Sequence, residues 1–253
     1  MTVKSCPPFV LLGAPTSRTR AYLEALAERD LAPQMTILYG KENLLDVTIV
    51  GGYVNPSAEN YSDLCRSVAP MNAGDLLAGV RSKTQVVSAG SVNDDQLVKV
   101  LFETGISTIV FSGYPGEIVR GNALAAGKFL HVHPGKLPNY RGSTTAHYSL
   151  LQENQVWASL LVLDKGIDTG EVLLRRQMPL PATSEYFDQI YDPSIRATLL
   201  ATYLAGEAEN EPLLSLKESP EDARTYYVIH PLLRKHAIEK LGPTQKDPSG
   251  HSS

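Results

Sequence analysis

Histidines at positions 131 and 133 close a short apolar run, Phe129–His133 (FLHVH), and Pro134 follows at once. Side chains two apart on a strand share a face, with Cα atoms roughly 7 Å apart, so both imidazoles point the same way. Pro134 removes a ladder donor and ends the strand. Two bases at the carboxyl end of a buried strand, opening into the loop Gly135–Gly142, lie where open α/β sheets place ligands. An acid follows at Asp168, in the tight turn DKGIDTG after a second apolar run. An imidazole beside a carboxylate is a proton-transfer pair. Two imidazoles and a carboxylate are also the ligand set of a non-haem iron or zinc site. The residues alone leave both readings open.

Six apolar runs read as strands: Phe9–Gly13, Met35–Tyr39, Gln85–Ser88, Thr108–Ser112, Phe129–His133 and Ser159–Leu163. Helical patterns lie between several of them. Ser17–Arg29 sets Tyr22, Leu23, Leu26 and Ala27 on one stripe, with Thr16 or Ser17 as N-cap. Asn93–Glu103 begins with an Asn cap and an acidic first turn, then spaces Leu97, Val100 and Leu101 helically. Thr144–Glu153 continues as a helix carrying His147, read as structural. Alternation of strand and helix predicts an α/β fold with a Rossmann-like, mostly parallel sheet and a small C-terminal helical and strand extension.

Residues 1–181 read as the α/β unit, with 41–83 as an insertion containing a helix near Ala58–Val68. Residues 182–243 read as the extension: helices over Ser184–Glu207 broken at Asp192-Pro193, a strand at Leu213–Leu216, and a surface-packed helix holding His230 and His236. A polar tail at 244–253 is expected to be disordered. The apolar stripe around Leu199–Leu204 offers a surface for a homodimer.

The 253 residues are 43% hydrophobic and 20% charged, with a formal net charge of −4. This is not the basic footprint of a nucleic-acid binder, and no apolar run approaches the ~20 residues of a membrane span. The N-terminal MTVKSCPPFVLLGAP lacks a basic leader, so it does not read as a signal peptide. Cys6 and Cys65 have no metal-type spacing, and two free thiols suit a reducing, cytoplasmic setting.

Taken together, HVHPGKLPNYRGS and DKGIDTG resemble the motifs of the formyltransferase family, which formylates methionyl-tRNA, glycinamide ribonucleotide or amino sugars with N10-formyltetrahydrofolate. The resemblance extends through STIVFSGYPGEIV and TTAHYSLL, from about Asp94 to Leu180. It implies that His133 is the catalytic histidine and Asp168 the aspartate that orients it. It also implies that Ser112, Gly113, Tyr114, Pro115, Gly116, Ile118, Val119 and Ile167 hold the folate. Lys136, Arg141 and Ser143, in or beside the loop over the site, would meet the substrate, with Arg141 either gripping an anionic group or tying the loop to an acid. No metal is implied.

Amine attack on a formyl carbon builds negative charge on its oxygen, which needs a donor and a proton shuttle. A carboxylate beside His133 is expected to raise its pKa. The family carries Asn where this chain has His131, whose ring still offers one N–H. The expected activity is formyl transfer to an amine of a small molecule such as an amino sugar, a sugar nucleotide or an amino-acid-like metabolite. The alternatives are a hydrolase releasing formate and a non-catalytic folate or nucleotide binder. The acidic chain and the lack of a basic C-terminal domain argue against a tRNA substrate.

Overall fold

The computed structural model describes residues 6–41, 43–208 and 222–241. The first strand, β1 (Val10–Gly13), is apolar throughout and buried on both faces, as a central parallel strand must be. Helix α1 (Ser17–Ala27) follows, with the Thr16 side chain accepting from the Thr19 amide as its N-cap. Next come β2 (Met35–Gly40), then the short elements β3 (Thr48–Ile49), α2 (Tyr61–Ser67), β4 (Met71–Asn72) and α3 (Ala73–Ala78), then β5 (Lys83–Ser88) and α4 (Asp95–Glu103). Asp94, not Asn93, caps α4 by accepting from the Gln96 amide. Asn93 instead reaches across to the Ile118 carbonyl and the Arg120 amide.

The chain continues through β6 (Thr108–Ser112), α5 (Gly121–Ala125), β7 (Lys128–His133), β8 (Tyr140–Gly142), α6 (Thr145–Glu153), β9 (Val156–Val162) and β10 (Val172–Met178). Seven of these strands form one sheet in the order β10-β9-β7-β6-β1-β2-β5. The β5-β2-β1-β6-β7 part is parallel, and β9 and β10 add antiparallel. The expected Rossmann-like, mostly parallel sheet is therefore present. Strand β10 has no counterpart among the expected strands. Arg175 and Arg176 interrupt its apolar pattern, as charges commonly do on an edge strand.

One core lies on the face carrying Leu11, Leu38, Val110, Leu130 and Val132, beneath α1 and α7 (Asp192–Leu204). The other lies beneath α4 and α5, around Leu12, Ile37, Phe111 and Phe129. A π-helical turn, Phe187–Tyr191, runs straight into α7, so Pro193 sits in the first helical turn, where its missing N–H costs nothing, and does not break a helix. Leu199, Leu200 and Leu204 are buried within the chain. The surface expected to serve a homodimer is thus already covered. The remaining described elements are β11 (Arg224–Tyr226) and α8 (Pro231–Glu239). The strand expected at Leu213–Leu216 and the tail at 244–253 lie outside the described residues.

Three side chains tie these parts together. Arg20 and Glu24 of α1, paired at 2.7 Å, hold the Ala69 carbonyl and the Tyr53 amide of the 41–83 region. Asp188 faces the buried His147 of α6 at 3.2 Å and also pairs with Arg234 of α8, so His147 is structural.

Candidate active site

Strands β6 and β7 pair only from Thr108–Val110 to Lys128–Leu130 and then part. Beyond that point β6 stays bonded to β1 as far as Ser112, and β7 to β9 as far as His133. A gap therefore opens between Phe111–Ser112 and His131–His133 at the carboxyl end of the sheet. It lies one strand from the β1/β6 boundary, where the strand order reverses and α/β sheets hold ligands.

His133 and Asp168 converge at this gap. Nδ1 of His133 lies 3.3 Å from Asp168 Oδ2, with the two side chains only 3% and 11% exposed. The other ring nitrogen, Nε2, is 2.7 Å from the Tyr140 carbonyl and 3.1 Å from Thr145 Oγ1. A carbonyl only accepts, and the Thr145 hydroxyl spends its proton on the Pro134 carbonyl at 2.9 Å. Nε2 therefore carries a hydrogen, and Nδ1 lies within ion-pair distance of the Asp168 carboxylate.

Burial pushes the His133 pKa below its usual value of 6.5, and Arg196 lowers it further, against the opposing pull of Asp168 and the Tyr140 carbonyl. The expectation of a raised pKa is corrected here: loss of solvent outweighs the carboxylate. Burial thus makes a protonated His133 acidic beside Asp168, which suits a group that gives up a proton.

The turn that places Asp168 is built from its own residues. Asp168 has φ 52°, in the left-handed region, while Asp164 closes the preceding bend by accepting from the Gly166 amide and the Thr169 hydroxyl. Asp164 is the exposed turn residue expected. Asp168 Oδ2 also accepts the Gly142 amide at 2.8 Å, which fixes the carboxylate on β8. Strand β8 is in turn covered by β11, in parallel register from Tyr140↔Arg224 to Gly142↔Tyr226. Gly142 has φ 95°, and a Cβ there would overlap the Tyr226 carbonyl. Gly135 is similarly constrained, since a Cβ there would come within 2.7 Å of His133 Nε2.

His131 is half-buried on the lip of the gap, its ring 6.2 Å from that of Phe111, and its Nδ1 is buried without a partner. Burial, then Arg18, Arg196 and His133, hold its pKa well below 6.5. The ring is neutral, with one N–H, and a hydrogen bond to the Phe111 backbone opposes part of the fall.

The Ser112–Val119 segment forms the opposite lip. Ser112 is fully buried and receives Arg18 Nε at 3.2 Å and Thr19 Oγ1 at 2.8 Å, and the Gly113 carbonyl accepts from Arg18. Glu117 turns back to gather the Tyr39 hydroxyl, the Val92 amide at 2.5 Å and the Tyr114 amide at 3.1 Å. Tyr114 meets Tyr39 edge-on at 5.8 Å. Pro115 and Gly116 are exposed, Ile118 is half-buried and Val119 packs into the second core.

Ile167 is exposed next to Asp168. Lys136 lies over the Trp157 ring at 5.3 Å. Ser143 donates its amide to the Tyr226 carbonyl at 2.9 Å. Arg141 is half-buried, and its Nε is buried without a partner; among the described residues no acid pairs with it. Among the described residues, no group of three or more His, Cys, Asp or Glu side chains is placed to hold a metal ion.

Two arginines at the gap carry no sequence expectation. Arg196 of α7 donates to the Val132 carbonyl, between the two histidines, at 3.0 Å and forks onto Asp192 at 3.0 and 3.1 Å. The signal for it was a lone cation in the apolar run SIRATLLATYL. Arg18 had no comparable signal, because a cation in a first helical turn reads as a solvated surface residue.

No family model matches the chain. It is 25% identical over 165 residues to the methionyl-tRNA formyltransferase of Syntrophus aciditrophicus, covering 63% of this chain and 50% of that protein. To the corresponding enzyme of Halorhodospira halophila it is 33% identical over 120 residues, covering 44% and 36%. The chain thus spans about half the length, or less, of these curated relatives. Among solved structures, a sugar N-formyltransferase from a Shewanella species superimposes with a TM-score of 0.53 at 14% identity, over 92% of this chain and 87% of that one. Phosphoribosylglycinamide formyltransferase from Bacillus halodurans gives 0.53 at 16% identity, over 80% and 96%. HypX from Aquifex aeolicus, in complex with tetrahydrofolic acid, gives 0.50 at 14% identity, over 94% and 35%. The sheet with its parted strands is the formyltransferase fold. In sequence the chain is thus similar to methionyl-tRNA formyltransferases over part of their length, and in fold to several formyltransferases.

Proposed function

We propose that this chain transfers a formyl group from N10-formyltetrahydrofolate to an amine of a small molecule. The observation that carries the reading is the buried His133–Asp168 pair at the gap between β6 and β7. The folate, when bound, supplies an activated one-carbon carbonyl. The gap suits a flat ring bearing donors and acceptors, because both strand edges there lack a sheet partner, Gly116 has open space above it, and His131 presents an unpartnered nitrogen.

The roles of the chain's own residues follow from their surroundings. His131, neutral, donates its N–H toward the oxygen on which negative charge develops. A protonated His133 would give its proton to the nitrogen that leaves with tetrahydrofolate as the formyl–nitrogen bond breaks, and Asp168 would take up the proton lost by the attacking amine. Glu117 fixes the Ser112–Val119 lip. Tyr140, Thr145 and Gly142 fix the His133 ring and the Asp168 carboxylate. The net charge of −4 favours a small acceptor over a nucleic acid.

Incubation with N10-formyltetrahydrofolate and a panel of amines tests this by mass spectrometry. A formylated amine is expected. Formate released at the same rate with and without amine would make the chain a hydrolase, and neither product would leave it a binding protein.

A further inference from the structure

Two guanidiniums stand at the gap. Arg196 is paired by its fork onto Asp192. Arg18 has no such partner: among the described residues its contacts are Ser112 Oγ and the Gly113 carbonyl, both neutral, and no carboxylate forms an ion pair with it. The cation is also poorly solvated, since Arg18 is half-buried and crowded by Arg196. A guanidinium has five N–H donors, and these contacts use one on Nε and one on Nη2, so the Nη1 edge is left to grip a ligand.

Two further polar atoms nearby lack partners. Nδ1 of His131 and the hydroxyl of Tyr22 are both buried and unpaired, and both lie within the electrostatic reach of Arg18. Buried polar groups left unpaired cost on the order of 1–3 kcal/mol each, which marks a place built to be completed. The unpaired guanidinium edge selects the class of ligand. A planar carboxylate matches one guanidinium bidentately.

We propose that Arg18, standing over the gap between β6 and β7, holds a carboxylate, and that this carboxylate belongs to the acceptor, which makes the acceptor an amino-acid-like amine. The acceptor assignment rests on the formyl-transfer reading; the carboxylate site does not. Free formate shares the same chemistry and is the other source of a carboxylate at this position.

The test uses the full chain without folate. Formate, glycine and glycinamide are titrated at constant ionic strength, with the His131 ring signal followed by NMR. Formate and glycine should shift that signal saturably, and glycinamide should not. Arg18→Met should weaken both responses at least tenfold, and Arg18→Lys, which keeps the charge and loses the fork, by a few-fold. Circular dichroism checks that both variants fold. The wild-type titration decides the matter even if a variant does not fold.

A response to formate alone would overturn the acceptor assignment. No saturable response, or one unchanged in Arg18→Met, would overturn the site. None of these readings requires turnover. A chain that binds carboxylates through Arg18 yet formylates nothing loses its proposed function and keeps this site. A formyltransferase indifferent to Arg18 does the reverse.

Discussion

Tyr226 stacks on Tyr140, with ring centroids 5.1 Å apart and planes 11° from parallel, and Tyr140 is the residue whose carbonyl holds His133 Nε2. The C-terminal part of the described chain therefore braces His133. Tyr148 closes on the same ring at 4.6 Å. Truncating Tyr226 to Ala should cost about 1–3 kcal/mol from lost aromatic packing. Chemical denaturation reads that cost. The same variant should lower kcat more than it raises KM, because what loosens is the histidine's support.

Replacing Asp168 by Asn removes the carboxylate beside His133 and weakens the acceptor that holds the Gly142 amide. Formyl transfer should fall roughly 10²–10⁴-fold, the usual range for loss of a positioned acid–base group. The melting temperature should change far less, since the isosteric amide oxygen still accepts from Gly142. A variant retaining full activity would remove Asp168 from the mechanism.

His131 and His133 both have folded-state pKa values below 6.5. As pH falls through 6.5, the unfolded chain takes up these protons before the folded one does. Stability present above that pH is therefore lost on acidification, by up to about 1.4 kcal/mol per pH unit for each group. His131→Asn removes one of the two protons, so its stability should decline less steeply between neutral and acid pH. Urea titrations at a series of pH values would show the change in slope.

Glu117 gathers three donors from three segments, so Glu117→Gln leaves at least one of them facing another donor. The Ser112–Val119 lip should loosen. Tetrahydrofolate affinity, measured by calorimetry, should drop about tenfold, equivalent to about 1.4 kcal/mol, while the His131 and His133 titrations stay as in the wild type.

Gly142→Ala would set a methyl group against the Tyr226 carbonyl in a left-handed backbone conformation. The expected loss is about 1–3 kcal/mol, with faster hydrogen exchange at the amides of 224–226. Unchanged exchange there would mean that β11 does not depend on this close approach.

The parallel sheet was legible because buried parallel strands read as unbroken apolar runs, and five of the six expected strands fall within a residue or two of those observed. The Ser159–Leu163 run is shifted, since the strand begins at Val156 and its start is masked by Gln155 and Trp157. The convergence of His133 and Asp168 followed from motif and spacing. What surrounds them was not legible. The Tyr140 carbonyl, the Gly142 amide and the docking of β11 are backbone relationships that no residue type announces. The Arg18 and Arg196 contacts depend on how α1 and α7 pack, which a one-dimensional pattern does not carry. The reversal in the His133 pKa has the same origin, because a neighbouring acid shows in the motif and the depth of burial does not.

The divergence of β6 from β7 has a thermodynamic side. The two inner edges part too far for the ladder, and Arg196 caps the Val132 carbonyl in place of a strand. A guest that reproduces the missing rungs restores continuity to the sheet. Affinity at this seam is therefore expected to track how closely a molecule imitates a strand's edge more than how greasy it is.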